Sequence, residues 1–346
     1  MSEKGDRLLF APAQQIHGTG GASAKSSLPP FSFVPVRLPM REPFVTAAGT
    51  LEAREGFLVF SGDGVGEAMP LPSAGTETLA ECRAALEAFR DGARLDELSA
   101  PCARFAIETA LLDAEAKQRN LPLARLLDAA PRPAVQVNAI VAAGGEVPEG
   151  FRSYKVKVGT PGDLEHVHRV REQIGAAAEL RLDANGTWSL PTAIETLKEL
   201  EPARPSYCED PLGRPDDVEA LRGHTRIGIA ADAWLSSSRQ RAQVLERRLA
   251  DVLVLKPAVL GGLRRCQALA FEARARGLTV VVTTLLEGVV GRLAALHLAA
   301  ALPTQHAAGL ATARLLARDH AADPAPVRDG FMALPPGPGL GVEVPR

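Results

Sequence analysis

Five charged residues recur along this chain at almost equal intervals: Lys157, Asp183, Glu209, Asp232 and Lys256 are separated by 26, 26, 23 and 24 residues. Each falls in or at the end of a short strand-like run, in YKVKVG, LRLDANG, YCEDP, IAADAW and VLKPAVLGG, and Lys155 precedes Lys157 by two. Such an interval fits one strand plus one helix, so successive strands supply successive charges. In a barrel of βα units the C-terminal strand ends converge on one face, and the six charges would meet in one pocket.

The surrounding sequence supports that reading. After Pro131 and Pro133, strand candidates fall at Val135–Val141, Tyr154–Val158, Leu180–Ala184, Ser206–Glu209, Ile227–Ala231, Val252–Lys256, Thr279–Thr283 and His306–Ala308. Amphipathic helices alternate with them, among them the Leu164, Val167, Val170, Ile174 series and the stretches Ala193–Leu200 and Leu263–Ala275. Eight strands over about 200 residues is a barrel count. An open doubly wound sheet stays open as an alternative, although no GxGxxG or GxxxxGK[ST] loop favours it. Upstream, VPVRLP, FLVFSG and the Asp63-Gly64 turn predict a small antiparallel sheet. Helical spacing between Thr76 and Ala130 completes an α+β cap.

Composition narrows the partner. Lys plus Arg (39) nearly balance Asp plus Glu (41), so no global charge recruits nucleic acid or an anionic membrane. A small molecule is the expected partner. The longest apolar stretch, about Leu293 to Leu302, is too short for a membrane span and reads as a buried helix, with His297 a core residue rather than a ligand. Trp188 and Trp234 also read as core. The first thirty residues lack a signal-peptide apolar region, and their Gly, Ser and Ala content predicts a flexible extension. Cys82, Cys102, Cys208 and Cys266 show neither CxxC nor metal spacing, which makes a reducing, cytoplasmic compartment the default.

Three carboxylates crowded into one pocket repel, and a hard divalent cation with oxygen ligands relieves that repulsion, so Asp183, Glu209 and Asp232 are the candidate metal ligands. Lys155 and Lys157 share one strand face, where the like charge of one is expected to lower the pKa of the other and make a usable base. A base and a cation beside a carboxylate substrate point to removal of the proton on the adjacent carbon through an enediolate. Taken singly, each residue has a plainer reading. A strand lysine is usually a solvated edge residue, Asp183-Ala184-Asn185-Gly186 and Glu209-Asp210-Pro211 begin turns, and Lys256-Pro257 with Gly261-Gly262 suits a helix entry. The six together carry the chemical reading.

The order KxK, D-x-N, E-[DQ]-P, AD, KP-x3-GG resembles the enolase superfamily, and within it the o-succinylbenzoate synthases, from about Val34 to Leu316. Supporting segments are Arg54–Glu67, RFAIETALLDAEA, TLLEGVVGRLAALHLAAAL and GLATARLLARD. The resemblance implies an α/β fold, a modified TIM barrel (β/α)7β over 132–316 with an α+β capping domain over 31–131. A flexible extension over 1–30 and a C-terminal segment, 317–346, returning to the cap complete the expected organisation. It further implies Mg2+, with Mn2+ as a substitute, and a small-molecule carboxylate substrate. The implied reaction is syn-elimination of water from 2-succinyl-6-hydroxy-2,4-cyclohexadiene-1-carboxylate (SHCHC) to give o-succinylbenzoate, a step of menaquinone biosynthesis.

By the same resemblance Lys157 takes the proton and returns it to the leaving hydroxyl, Lys256 stabilises the enediolate, and Lys155 assists Lys157. Gly261 and Gly262 would bring backbone N–H groups to the substrate's succinyl carboxylate. Thr283, Leu286 and Asn185 would line the pocket, and Phe44, Thr46 and Gly49 would belong to a closing loop. Two departures stand out. The AD-E pattern of relatives reads Ala231-Asp232-Ala233, and the seventh strand reads TTLLEG where many relatives carry serines. The rival readings are an N-succinylamino acid racemase or dipeptide epimerase of the same superfamily, and a non-catalytic protein that keeps the fold. A D-x-D pair expected of dipeptide epimerases is missing around Thr283–Glu287.

Overall fold

The computed structural model describes residues 30–46 and 49–346, and the side chains of Val45 and Thr46 lie outside that set. The extension expected at the N-terminus falls, up to residue 29, outside the described residues. Strands β1 (Phe31–Thr46) and β2 (Gly49–Ser61) pair antiparallel, from Phe31 opposite Ser61 to Thr46 opposite Gly49, with a register shift between Pro39 and Phe44. β3 (Gly64–Ala68) returns beside β2 through a tight turn in which Gly62 has φ +56°. Helix α1 (Leu79–Arg90) begins at a capping box in which Thr78 and Glu81 each satisfy the other's backbone N–H. Helix α2 (Pro101–Gln118) lies on β3, where a Cβ on Gly64 or Gly66 would strike the carbonyl of Ala110 or Ala106. A short helix, α3 (Ala124–Leu127), ends the cap.

The chain then alternates strand and helix. In order come β4 (Ala134–Gln136), β5 (Ala139–Val141), β6 (Ser153–Lys157), α4 (Asp163–Ile174), β7 (Glu179–Asp183), α5 (Leu190–Leu200), β8 (Tyr207–Glu209) and α6 (Val218–Arg222). They are followed by β9 (Gly228–Ala231), α7 (Ser238–Arg247), β10 (Val252–Leu255), α8 (Pro257–Leu260), α9 (Leu263–Ala275), β11 (Thr279–Val282), α10 (Val289–Ala301) and β12 (Phe331–Ala333). β5 to β11 form one seven-stranded sheet in sequence order, every pair parallel. Residues 307–309 bridge both of its edges, Ala308 to Val137 and Gly309 to Thr283, and so close the barrel. The eighth strand expected at His306–Ala308 is thus a pair of bridges rather than a full strand. The first expected strand is split at Val137 and Asn138: β4 pairs antiparallel with β12, while β5 enters the barrel.

Burial follows the alternation. All thirteen residues of α10 are buried, including His297, whose Nδ1 accepts the Ala124 N–H at 3.1 Å and whose imidazole is pushed down to about 4 by burial. It is a core histidine, as its apolar setting predicts. Inside the barrel a separate apolar layer of Tyr207, Ala230, Val252, Val254 and Val281 underlies the strand ends. The C-terminal segment runs back over the cap, with Ala317 N–H on Pro39 O and Leu340 N–H on Asp113 Oδ1 of α2. Among the described residues no helix is long and apolar enough to cross a membrane.

Candidate active site

Strand register assembles the charged set. Lys157 of β6 stands opposite Asp183 of β7, which stands opposite Glu209 of β8. Lys155 shares the face of Lys157 by the two-residue period of a strand. Lys157 Nζ lies 2.6 Å from Asp183 Oδ2 and 3.3 Å from Asn185 Oδ1. Lys155 Nζ reaches the same Asp183 oxygen at 2.8 Å and Glu209 Oε1 and Oε2 at 3.2 and 3.3 Å. Beyond β9 and β10, Lys256 closes an ion pair with Asp232. Because β7, β8 and β9 lie between β6 and β10, Lys157 and Lys256 face each other across the carboxylates.

Electrostatics follow from this packing. Burial pushes the Asp183 carboxyl up, but Lys155 and Lys157 outweigh it and hold the group well below the usual carboxylate range. Glu209 moves the other way, raised by its burial and by Asp183. Burial also disfavours the Lys155 and Lys256 ammonium groups, yet neighbouring carboxylates dominate and leave both raised. The like charge of one of this lysine pair was expected to lower the pKa of the other; Lys155 is instead raised, because Asp183 and Glu209 stand within hydrogen-bonding reach and carry the opposite sign. Asp210, not singled out from sequence, takes a positive φ of 41° and accepts the N–H groups of Asp232 and Ala233 at 3.0 and 2.7 Å. It fixes the backbone that presents Asp232.

Among the described residues no three acidic, His or Cys side chains stand as a cluster ready to enclose a metal ion; each carboxylate of the set is turned to a lysine. The donor chemistry nonetheless fits a hard divalent cation: three carboxylates at adjoining strand ends, without thiolate or imidazole.

The second group of expected residues divides. Asn185, at φ 48°, is brought to Lys157. Phe44 and Leu286 pack on one apolar cluster with Leu38, Met40, Met69, Leu315 and Leu316. Thr283 Oγ1 donates to Gly309 O at 3.0 Å and so serves barrel closure. Gly49 sits at φ +127°, which favours glycine, at the end of the β1–β2 register; the Thr46 side chain lies outside the described residues.

Gly261 and Gly262 do not offer N–H groups to the pocket, and that expectation is corrected. Both N–H groups donate to Pro257 O at 2.9 Å, and a Cβ on Gly262 would strike the Glu108 carboxylate of α2. Glu108 also accepts the Leu263 and Arg264 N–H groups, so the start of α9 already holds a carboxylate from the cap. Glu108 lies more than 150 residues upstream, and no local pattern announces it.

A second buried acidic pair, also missed, holds the turn that carries Leu286. Glu67 of β3 accepts the Gly288 and Gly291 N–H groups, each at 2.7 Å, and His320 Nε2 lies 3.0 Å away. Glu287 accepts the Leu285 N–H at 2.6 Å and holds Leu286 in the left-handed region at φ +61°. Burial pushes the Glu287 carboxyl up to about 7, Glu67 adding to it and Arg54 opposing it. Folded Glu287 therefore keeps its proton at pH values where the unfolded chain has released it near the ordinary 4.5. Its effect is a stability that falls as pH rises from about 4.5 to 7. Glu287→Gln should remove that decline, worth about 3 kcal/mol at most. Denaturant titrations at pH 5 and pH 8 should show the variant gaining on the parent at pH 8.

Residues 137–346 match the family model described as enolase C-terminal domain-like. The chain belongs to the enolase superfamily. Its relatives place it in the muconate-lactonizing-enzyme subgroup. An o-succinylbenzoate synthase of Thermobifida fusca (strain YX) is 37% identical over 206 residues, covering 56% of this chain and 64% of that protein. The chain thus spans just under two thirds of that relative's length. A chloromuconate cycloisomerase of Pseudomonas putida is 30% identical over 259 residues, 70% of each chain. In fold it matches a dipeptide epimerase from Enterococcus faecalis V583, whose structure holds Mg and the dipeptide L-Leu-L-Tyr. The TM-score is 0.80 at 23% identity, over 91% of this chain and 99% of that one. The relatives thus include a synthase and a cycloisomerase, and the epimerase that shares the fold holds Mg and a dipeptide.

Proposed function

We propose that this superfamily member is an o-succinylbenzoate synthase, dehydrating SHCHC in menaquinone biosynthesis. The observation that carries the proposal is Lys157 and Lys256 on opposite sides of the Asp183, Glu209 and Asp232 array. The share of identity with the Thermobifida fusca synthase supports the choice of substrate. Asp183, Glu209 and Asp232 would hold Mg2+. Bound there, the cation neutralises the substrate carboxylate and lowers the cost of charge developing on it.

The protein's own groups account for the proton movements. Lys157 Nζ takes the proton from the carbon next to the carboxylate, and the electron pair moves into the enediolate. The C–O bond to the ring hydroxyl then breaks on the same face, Lys157 returns the proton, and water leaves as the ring becomes aromatic. Lys256 remains an ammonium throughout and stabilises the enediolate. Lys155, bonded to Asp183 and Glu209, keeps both carboxylates oriented beside Lys157. Phe44 and Leu286, expected to line the pocket, share one apolar cluster with Leu315, and such a surface would suit the carbocyclic body of the substrate. All four cysteines are buried and free, in keeping with a proposed cytoplasmic setting.

The same opposed lysines favour one second reading, racemisation of N-succinylamino acids, in which each lysine serves one face of the α-carbon. Heavy-water incubation with SHCHC and an N-succinylamino acid in parallel separates the two. Loss of SHCHC is expected; deuterium entering the amino acid while SHCHC stays intact would overturn the synthase reading in favour of the racemase.

A further inference from the structure

The layer of side chains beneath the carboxylates differs around the barrel. Towards β8 to β11 it is apolar, made of Tyr207, Ala230, Val252, Val254 and Val281. On β6 and β7 it carries two cations, Lys155 and Arg181, directly opposite one another in the parallel register. Arg181 is wholly buried, and its guanidinium carbon lies 5.3 Å from the centroid of the Tyr207 ring. The two charges are drawn apart. The Lys155 ammonium turns towards Asp183 and Glu209 of the site, whereas Arg181 Nη2 turns the other way, to Glu179 Oε2 at 2.6 Å. Arg181 Nη1 is fixed on Ala307 O of the closing segment at 2.7 Å.

Strand geometry alone does not dictate this division. Side chains two residues apart share a face of β7, so Glu179 and Asp183 flank Arg181 on the inner face, one step below and one step above. Lys155, facing Arg181, therefore stands in register equally near both carboxylates, yet its ammonium lies 2.8 Å from Asp183 Oδ2. Glu179 is already taken. Besides Arg181 it accepts from Ser153 Oγ at 2.8 Å and Ser206 Oγ at 3.2 Å, and His306 Nδ1 lies 2.8 Å from it. Burial opposes ionisation of Glu179, but His306, Arg181 and Ser153 outweigh it and hold the carboxyl well below its usual range. Deprived of its own cation, an ionised carboxylate in this place would compete for Lys155, because charges beside an apolar layer interact strongly.

We propose that Arg181 is a positioning residue, which occupies Glu179 and so leaves the Lys155 ammonium to Asp183 and Glu209, two of the carboxylates that would hold Mg2+. The inference deepens the proposed dehydration and rests on it only in that an oriented Asp183 and Glu209 set the place of the substrate carboxylate against Lys157.

A crystal structure of the Mg2+-free Arg181→Met protein, together with kcat and KM for SHCHC at saturating Mg2+, tests it. In the variant the Lys155 ammonium should lie within hydrogen-bonding distance of Glu179, and kcat should fall by about ten- to a hundredfold with KM changed far less. Adding Glu179→Gln removes the competing charge, so the double variant should return Lys155 to Asp183 and recover most of the lost turnover. If Arg181→Met fails to fold, the double variant, which removes both members of the buried pair, still decides, with Lys155 on Asp183 and kcat near that of the parent expected. Lys155 unmoved in Arg181→Met, or a double variant with low kcat, would overturn the proposal and leave Arg181 a packing residue tied to the closing segment. Lys155 moving to Glu179 in a protein whose parent does not dehydrate SHCHC would keep the positioning role and remove the proposed function.

Discussion

Lys157→Ala should lower turnover of SHCHC by a factor on the order of 10³ or more, because the residue both takes and returns the proton. Its ammonium is one of two that contact Asp183 Oδ2, and Lys155 keeps its own contact at 2.8 Å, so the carboxylate array retains a partner. The fold and Mg2+ binding should therefore survive. Lys157 is also the more exposed of the pair, with 30% of its side chain open against 16% for Lys155, which suits the residue that must meet substrate. Turnover followed by absorbance, beside the Mg2+-dependent rise in melting temperature, separates these effects. Retained turnover would remove Lys157 from the base role; lost metal stabilisation would make it a structural residue instead.

Asp183→Asn is expected to be the most damaging single change to stability in the charged set. The carboxylate is buried, 2% exposed, and it alone serves two ammonium groups. Removing one partner of a buried ion pair costs about 3 to 5 kcal/mol, because the remaining charge stays desolvated. With EDTA present, the variant should unfold at distinctly lower denaturant than the parent. In the parent, Mg2+ at a hundred times its dissociation constant should add about 2.7 kcal/mol, and the variant should lose most of that gain. Equal stability in EDTA together with an equal response to Mg2+ would take Asp183 out of both the ion-pair core and the ligand set.

The parts of the molecule legible in the sequence are those written locally. Strand runs of four or five residues ending in Lys157 or Asp183, or just before Lys256, carry their own periodicity, and their spacing alone orders β6 to β10 around the barrel. The paired Lys155 and Lys157 share a face because a strand has a period of two. What stayed hidden depends on contacts between distant residues. Nothing near Gly262 signals that Glu108 of the cap fills the start of α9, and nothing near Gly288 signals that Glu67 caps it. The pKa direction of Lys155 turned on two carboxylates 28 and 54 residues away rather than on its neighbour Lys157. The closing segment at 307–309 is held by two bridges only, too short for a periodic pattern.

The proposed chemistry is tested most directly by the loss of SHCHC absorbance on adding the purified protein with Mg2+, repeated with EDTA. Metal-dependent loss of signal with formation of o-succinylbenzoate is the result expected; unchanged SHCHC, with N-succinylamino acids racemised under the same conditions, would contradict it.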